Sequence, residues 1–154
     1  TNGKVWVSGS SYDVTLSATE SYDATALDIG MNLNYGNLGL VAYYYSGEGN
    51  GVGTSLNRLG GLAAENDQDG GYVQATYVIP SGTKLGVAVA SSRQDLANGN
   101  TTGMDSNDRW TVGAYHPLTK HLNLVAEYNN IESDDHAGNN AESDSVSLGA
   151  IIFF

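Results

Sequence analysis

The stretch D-S-V-S-L-G-A-I-I-F-F, Asp144 to Phe154, alternates two kinds of side chain to its last residue. Val146, Leu148, Ala150, Ile152 and Phe154 take one face, while Ser145, Ser147 and Gly149 begin the other. A period of two sustained over about ten residues describes a strand with one apolar side. A soluble core has no ready place for so long a strand closing on a large aromatic side chain. The boundary of a hydrocarbon layer does, because an aromatic ring settles well at the headgroup level.

The same pattern recurs upstream. Leu27, Ile29, Met31, Leu33 and Tyr35 alternate with Asp28, Gly30, Asn32 and Asn34. Gly36-Asn37 follows, a two-residue turn with glycine first, and Leu38, Leu40, Ala42 and Tyr44 resume the apolar face. That hairpin sets Leu33 against Leu40 and Met31 against Ala42. A second hairpin turns at Pro80-Ser81-Gly82, with Val73, Ala75, Tyr77 and Ile79 sharing a face with Leu85, Val87 and Val89. A third turns at Pro117 to Lys120, joining Trp110, Val112 and Ala114 to Leu122, Leu124, Ala126 and Tyr128. The first stretch is less regular. Val5 and Val7 have one parity, whereas Val14, Leu16 and Ala18 have the other, which predicts a bulge between Ser10 and Asp13.

Composition narrows the classes. Hydrophobic residues are 40% of 154, and no apolar run reaches the roughly 18 residues of a membrane-spanning helix. Twenty Gly and 10 Tyr against 2 Pro favour strands joined by glycine-rich turns, an all-β chain. Seventeen acids against 6 bases give a net charge of -11, the wrong sign for a nucleic-acid partner. Cysteine is absent, which excludes a disulfide scaffold, a thiol nucleophile and a thiolate metal site. The chain opens on neither an initiator Met nor a secretory leader, as expected of a mature chain or a fragment.

Short turns alternate with long polar stretches (Gly47 to Gly70, Gln94 to Asn107, Glu132 to Ser143), which puts every long loop at one end. The apolar face carries Tyr44, Trp110 and Tyr128 towards that end, and Tyr35, Tyr77 and Phe154 towards the other. Segregated loop lengths and two aromatic belts belong to a transmembrane antiparallel β-barrel. The expected strands are Lys4 to Ala18, Thr25 to Tyr35, Leu38 to Ser46, Gly71 to Ile79, Thr83 to Arg93, Asp108 to His116, His121 to Ile131 and Asp144 to Phe154. About eight strands, an even number, bring both chain ends to the short-turn, periplasmic side. Residues 1–154 are then one barrel domain or a portion of a larger barrel.

The segments Gly70 to Ala90 and Trp110 to Asn129, with the ending S-L-G-A-I-I-F-F, resemble the general porins of Gram-negative bacteria. The likeness extends from about Thr25 onward and matches the C-terminal half of such a porin. It implies a bacterial outer-membrane location, surrounding lipid and lipopolysaccharide as partners, and a homotrimer of water-filled pores, each barrel having sixteen strands. It also implies an assembly signal in Phe154, Ile152, Leu148 and Val146, read by the barrel-assembly machinery. The family's pore-constricting loop lies in the other half and has no counterpart here.

Four charged residues on the polar face are candidates for lining a pore: Asp28, Lys84, Arg109 and Glu127. Arg109 and Glu127 are expected to pair across their hairpin. The acids crowd into the long loops, where an acidic rim raises local cation concentration or simply solvates the surface. Glu65, Asp67 and Asp69 precede Gly70 with the alternate spacing of a calcium loop, without the later glutamate or flanking helices of an EF-hand. His116, His121 and His136 lack metal-site spacing, and no G-x-S-x-G occurs. The sequence therefore reads as a non-enzymatic passive diffusion channel for small hydrophilic solutes, cation-preferring and without a cofactor. The alternative is a small closed eight-stranded outer-membrane barrel with a structural, adhesive or surface-shielding role.

Overall fold

The computed structural model describes residues 1–15, 21–49, 66–95 and 103–154. These form one sheet of eight antiparallel strands in chain order: β1 Asn2–Thr15, β2 Ser21–Tyr35, β3 Leu38–Glu48, β4 Asp67–Val78, β5 Lys84–Gln94, β6 Met104–Thr119, β7 Leu122–Asp135 and β8 Asn140–Ile152. Among the described residues there is no helix. Each strand pairs with its sequence neighbours, so all connections are hairpins. Gly36 takes a φ of 57°, the left-handed conformation the first hairpin needs. Leu33 stands opposite Leu40 and Met31 opposite Ala42, as the alternation predicts.

Burial along the strands is inside out by the standard of a water-soluble protein. Leu33, Val87 and Leu124 are 36%, 48% and 41% exposed, and Leu148 reaches 80%. Among the described residues the buried hydrophobic core is Ala24 alone, whereas Gln68 and Asn129 are buried polar side chains. Exposing a Leu or Val side chain to water forfeits about 1.5–3 kcal/mol relative to burying it. A sheet that does so along every strand is stable only with hydrocarbon against that face. The apolar face therefore points outward to lipid, and the Gly, Asn, Thr and charged set points inward.

The inner face is concave. One cavity of about 560 Å³ is lined by side chains spread from Asn32 on β2 to Glu127 on β7, so the sheet curls around it. β1 and β8 form the two edges and are not paired with each other.

Several strand ends differ from those expected: β4 begins at Asp67 and β6 at Met104, inside stretches expected as loops, β6 continues through the expected turn to Thr119, and β8 stops at Ile152. Two further expectations need correction. β1 pairs with β2 in one unbroken register, from Asn2 opposite Asn34 to Thr15 opposite Ser21, with no bulge. The change of parity has another cause. Tyr12 and Val14 share a face with Trp6 and Ser8, the inner one, and Asp13 points outward where the wall leaves the acyl layer and alternation is no longer enforced. Leu16 and Ala18 lie outside the described residues. The second correction concerns Glu132 to Ser143, expected as a loop. Most of it is paired strand, closed by the turn at 136–139. Polar side chains hold this ladder across the two strands: Asn130 donates to Glu142 and Asn140 to Glu132 and Asp134, each at 2.9 Å.

The face assignment is open to a direct test. Val87→Arg, placing a charge in mid-bilayer, should destabilise the folded protein by roughly 2–4 kcal/mol in urea unfolding from liposomes. Ala88→Arg, one residue on and facing inward, should leave the midpoint nearly unchanged. The reverse order would mean that the faces are inverted.

Candidate functional site

Because adjacent strands are in register, the inner face is organised in rows that cross the sheet. The central row runs Trp6, Gly30, Tyr43, Tyr72, Ala90, Arg109. The row towards the long-loop end contains Ser8, Asp28, Tyr45, Gly70 and Ser92. Towards the short turns the rows hold Lys4, Asn32, Gln74, Thr111 and Asn129, then Gly113 and Glu127, then Lys84 and Tyr115.

All four pore-lining candidates, Asp28, Lys84, Arg109 and Glu127, thus fall on the inner face. Lys84, Arg109 and Glu127 line the same 560 Å³ cavity, and Asp28 lies outside it. The expected pair of Arg109 with Glu127 does not form. Register is the reason: Arg109 stands opposite Ile131, while Glu127 stands opposite Gly113. Four residues along a strand are about 13 Å, well beyond contact. Arg109 instead donates from Nη2 to Asn129 Oδ1 at 2.6 Å and from Nε to Thr111 Oγ1 at 3.2 Å. Thr111 in turn donates to the same Asn129 oxygen at 2.8 Å. Asn129, 4% exposed, has been drawn into the wall to hold the guanidinium. Glu127 accepts from the Tyr115 hydroxyl at 2.5 Å, and Asp28 accepts from Ser8. Neither Lys84 nor Arg109 has a carboxylate in ion-pair range among the described residues.

Sequence reasoning missed the aromatic content of this wall. Trp6, Tyr43, Tyr45, Tyr72 and Tyr115 all face inward by register, whereas the alternation in the sequence assigns aromatic residues to the lipid face alone. The signal was available: Tyr43 and Tyr45 have the parity opposite to Leu40 and Tyr44. Glycines on neighbouring strands make room for the rings. A Cβ at Gly30 would stand 2.1 Å from the Trp6 ring, one at Gly70 2.8 Å from Tyr45, and one at Gly113 2.9 Å from Tyr115.

The long-loop end is strongly acidic. Asp67 and Asp69 of the candidate calcium set lie on β4 and share its outward face, Asp69 opposite Arg93, while Glu65 lies outside the described residues. No group of three or more metal-capable side chains gathers among the described residues. His136 ties this end together. Its Nε2 donates to the Gln94 carbonyl at 2.8 Å, and its Nδ1 stands 3.9 Å from Asp105. At the opposite end His116 shares a 2.9 Å hydrogen bond with Thr83, and His121 Nδ1 donates to the Phe153 carbonyl at 3.1 Å. Val146, Leu148 and Ile152 stand on the outward face of the edge strand β8, exposed like the rest of it, and Phe154 lies exposed past its end.

Residues 2–136 match the family model described as Gram-negative porin. Among solved structures, the outer membrane channel DcaP of Acinetobacter baumannii superposes with a TM-score of 0.78 at 16% identity, over 98% of this chain and 46% of that one. Neisserial surface protein A aligns at a TM-score of 0.39 and 14% identity, over 99% of this chain and 94% of that one. The chain thus spans about half the length of the DcaP chain, a likeness of fold alone. No curated protein matches it by sequence.

The turn closing β7 and β8 provides a pH readout outside the membrane. Asp135 accepts from Asn139 Nδ2 at 2.8 Å, from the Asn139 backbone N–H at 2.7 Å and from Ala137 N at 2.9 Å. The Asn139 side chain, then the backbone amides, hold its carboxyl below the usual aspartate value. Its contribution to the turn is therefore complete above the ordinary aspartate pKa and fades as pH falls through the lowered one. Asn139→Ala should move the NMR titration midpoint of Asp135 upward, towards the ordinary value. An unmoved midpoint would mean that the Asn139 amide is not the cause.

Proposed function

The chain belongs to the Gram-negative porin family, and from that premise we propose that its eight strands wall a passive diffusion channel for small hydrophilic solutes. As a porin it is an outer-membrane β-barrel protein. The observation carrying the proposal is the inverted wall: lipid-facing Leu, Val and Tyr on one side, and on the other a concave surface with Lys84, Arg109 and Glu127 around one cavity.

An open sheet cannot sit in a bilayer with bare edges, since each unpaired backbone group there costs several kcal/mol. The edges of β1 and β8 accordingly pair with further strands, completing a barrel of about sixteen; coverage of 46% of the DcaP chain supports that size. Lipid and lipopolysaccharide surround the barrel, trimer formation follows the family habit, and the assembly machinery reads the exposed Val146, Leu148, Ile152 and Phe154 side.

Selectivity has two contributors of opposite sign. The long-loop end concentrates carboxylates (Glu48, Asp67, Asp69, Asp105, Glu132, Asp134); most stand on the outward side of the wall, so it is their summed field at the rim that raises cation concentration at the mouth. Deeper in, Lys4, Lys84 and Arg109 face Asp28 and Glu127, close to balance. The mouth then decides, and the channel prefers cations.

Planar-bilayer recording tests both parts. The protein should give large, steady conductance steps with a reversal potential favouring K⁺ over Cl⁻ at low salt. Arg109→Gln should raise that preference by roughly twofold, and Glu127→Gln should lower it. A bilayer that stays silent, with protein shown to be inserted, would refute the channel.

A further inference from the structure

The central row of the inner face has a composition that passive conduction does not require. A water-filled lumen is served by small and polar side chains, yet Trp6, Tyr43 and Tyr72 stand in one register row with Gly30 and Ala90 between and beside them. The Tyr43 and Tyr72 rings lie 5.8 Å apart at 36°, and Tyr45, one row up, is 6.2 Å from Tyr43 at 35°. Tilts this shallow make a stepped strip of ring faces. Glycine at positions 30 and 70 lets the Trp6 and Tyr45 rings lie down against the neighbouring strand, since a Cβ there would collide with them.

Polar groups border the strip on both sides and at its end. Asp28 and Ser8 lie in the row above; Asn32, Gln74 and Thr111 lie in the row below. Arg109 ends the strip, with Nε and Nη2 committed to Thr111 and Asn129. Its other N–H groups have no partner among the described residues, and a guanidinium presents them as a fixed fork. The Lys4 ammonium stands 5.6 Å from the Trp6 ring centroid, a cation already occupying that end.

We propose that this strip binds neutral ring sugars, with pyranose faces stacked on Tyr43 and Tyr72 and the ring hydroxyls held by Arg109, Asn32 and Gln74, which line the space over those rings. A sugar ring has an apolar C–H face and a rim of donors and acceptors, which is what flat aromatic faces bordered by amides, a carboxylate and a guanidinium recognise. An organic cation is disfavoured by Lys4 and Arg109 at the two ends of the strip. A plain aromatic solute would cover the polar borders without offering them any hydrogen bond. The inference deepens the channel reading, on which it rests only for the passage of the sugar; the binding itself is separable.

The test uses cellotriose as probe and measures two things on the full chain: tryptophan fluorescence of detergent-solubilised protein, and interruptions of the ion current in planar bilayers. Saturable binding at millimolar sugar with brief current interruptions is expected. Tyr43→Ala and Tyr72→Ala should each weaken binding by roughly three- to tenfold, and Tyr43→Phe, which keeps the ring face, should not. Arg109→Gln should weaken binding while leaving the fold intact, which guards against an alanine variant that fails to fold. Equal binding in all four variants would overturn the proposal, as would binding of benzoate in place of cellotriose. Current without any sugar effect would remove the sugar site and leave the channel. Sugar binding in detergent by a protein that carries no current would do the opposite.

Discussion

Backbone amides immersed in hydrocarbon have no water to fall back on, and most of this structure answers to that fact. It requires every N–H and C=O within the membrane layer to find a partner on the next strand. The long, mostly unshifted ladders from β1 to β8 follow from it, and so does the near absence of a conventional core among the described residues. Side chains then sort by solvent: those meeting acyl chains are apolar, and those facing the enclosed side are free to be glycine, amide or charge. Stability is vested in the ladder and in the two solvents it separates, with little left to side-chain interlocking.

That division explains what was legible in the sequence. Where lipid is on one side, as along 27–35 and 144–154, a period of two is obligatory, and the strands, their partners and their faces could be read directly. Where the wall rises past the acyl layer the obligation lapses. Val14 turns inward without a bulge, and the polar run 132–143 continues as paired strand although its composition reads as loop. Charge and polarity alone do not distinguish a solvated loop from a ladder whose two faces are both wet.

The inner face was legible in membership but not in connection. Parity alone assigned Asp28, Lys84, Arg109 and Glu127 to it. Which of them touch depends on register across a hairpin, and a four-residue offset, invisible to composition, separates Arg109 from Glu127. In place of an ion pair, neutral groups hold both charges: Asn129 and Thr111 for the guanidinium, Tyr115 for the carboxylate. Each charge keeps its field, because a neutral hydrogen-bond partner positions a charge without cancelling it. The inward tyrosines escaped notice for a related reason: a residue type expected at the lipid boundary is equally at home wherever a glycine across the way leaves room for its ring.

The row from Trp6 to Arg109 has a further property that follows from strand tilt. Barrel strands lean by roughly 35–45° from the membrane normal, so a line drawn square across them is not a hoop but a ramp. Five inter-strand steps of about 4.8 Å, inclined by that much, climb on the order of 15 Å. The indole and the guanidinium therefore sit at different depths, and a particle following the row must revolve as it advances. The inner surface is threaded like a screw, and its handedness is inherited from the backbone.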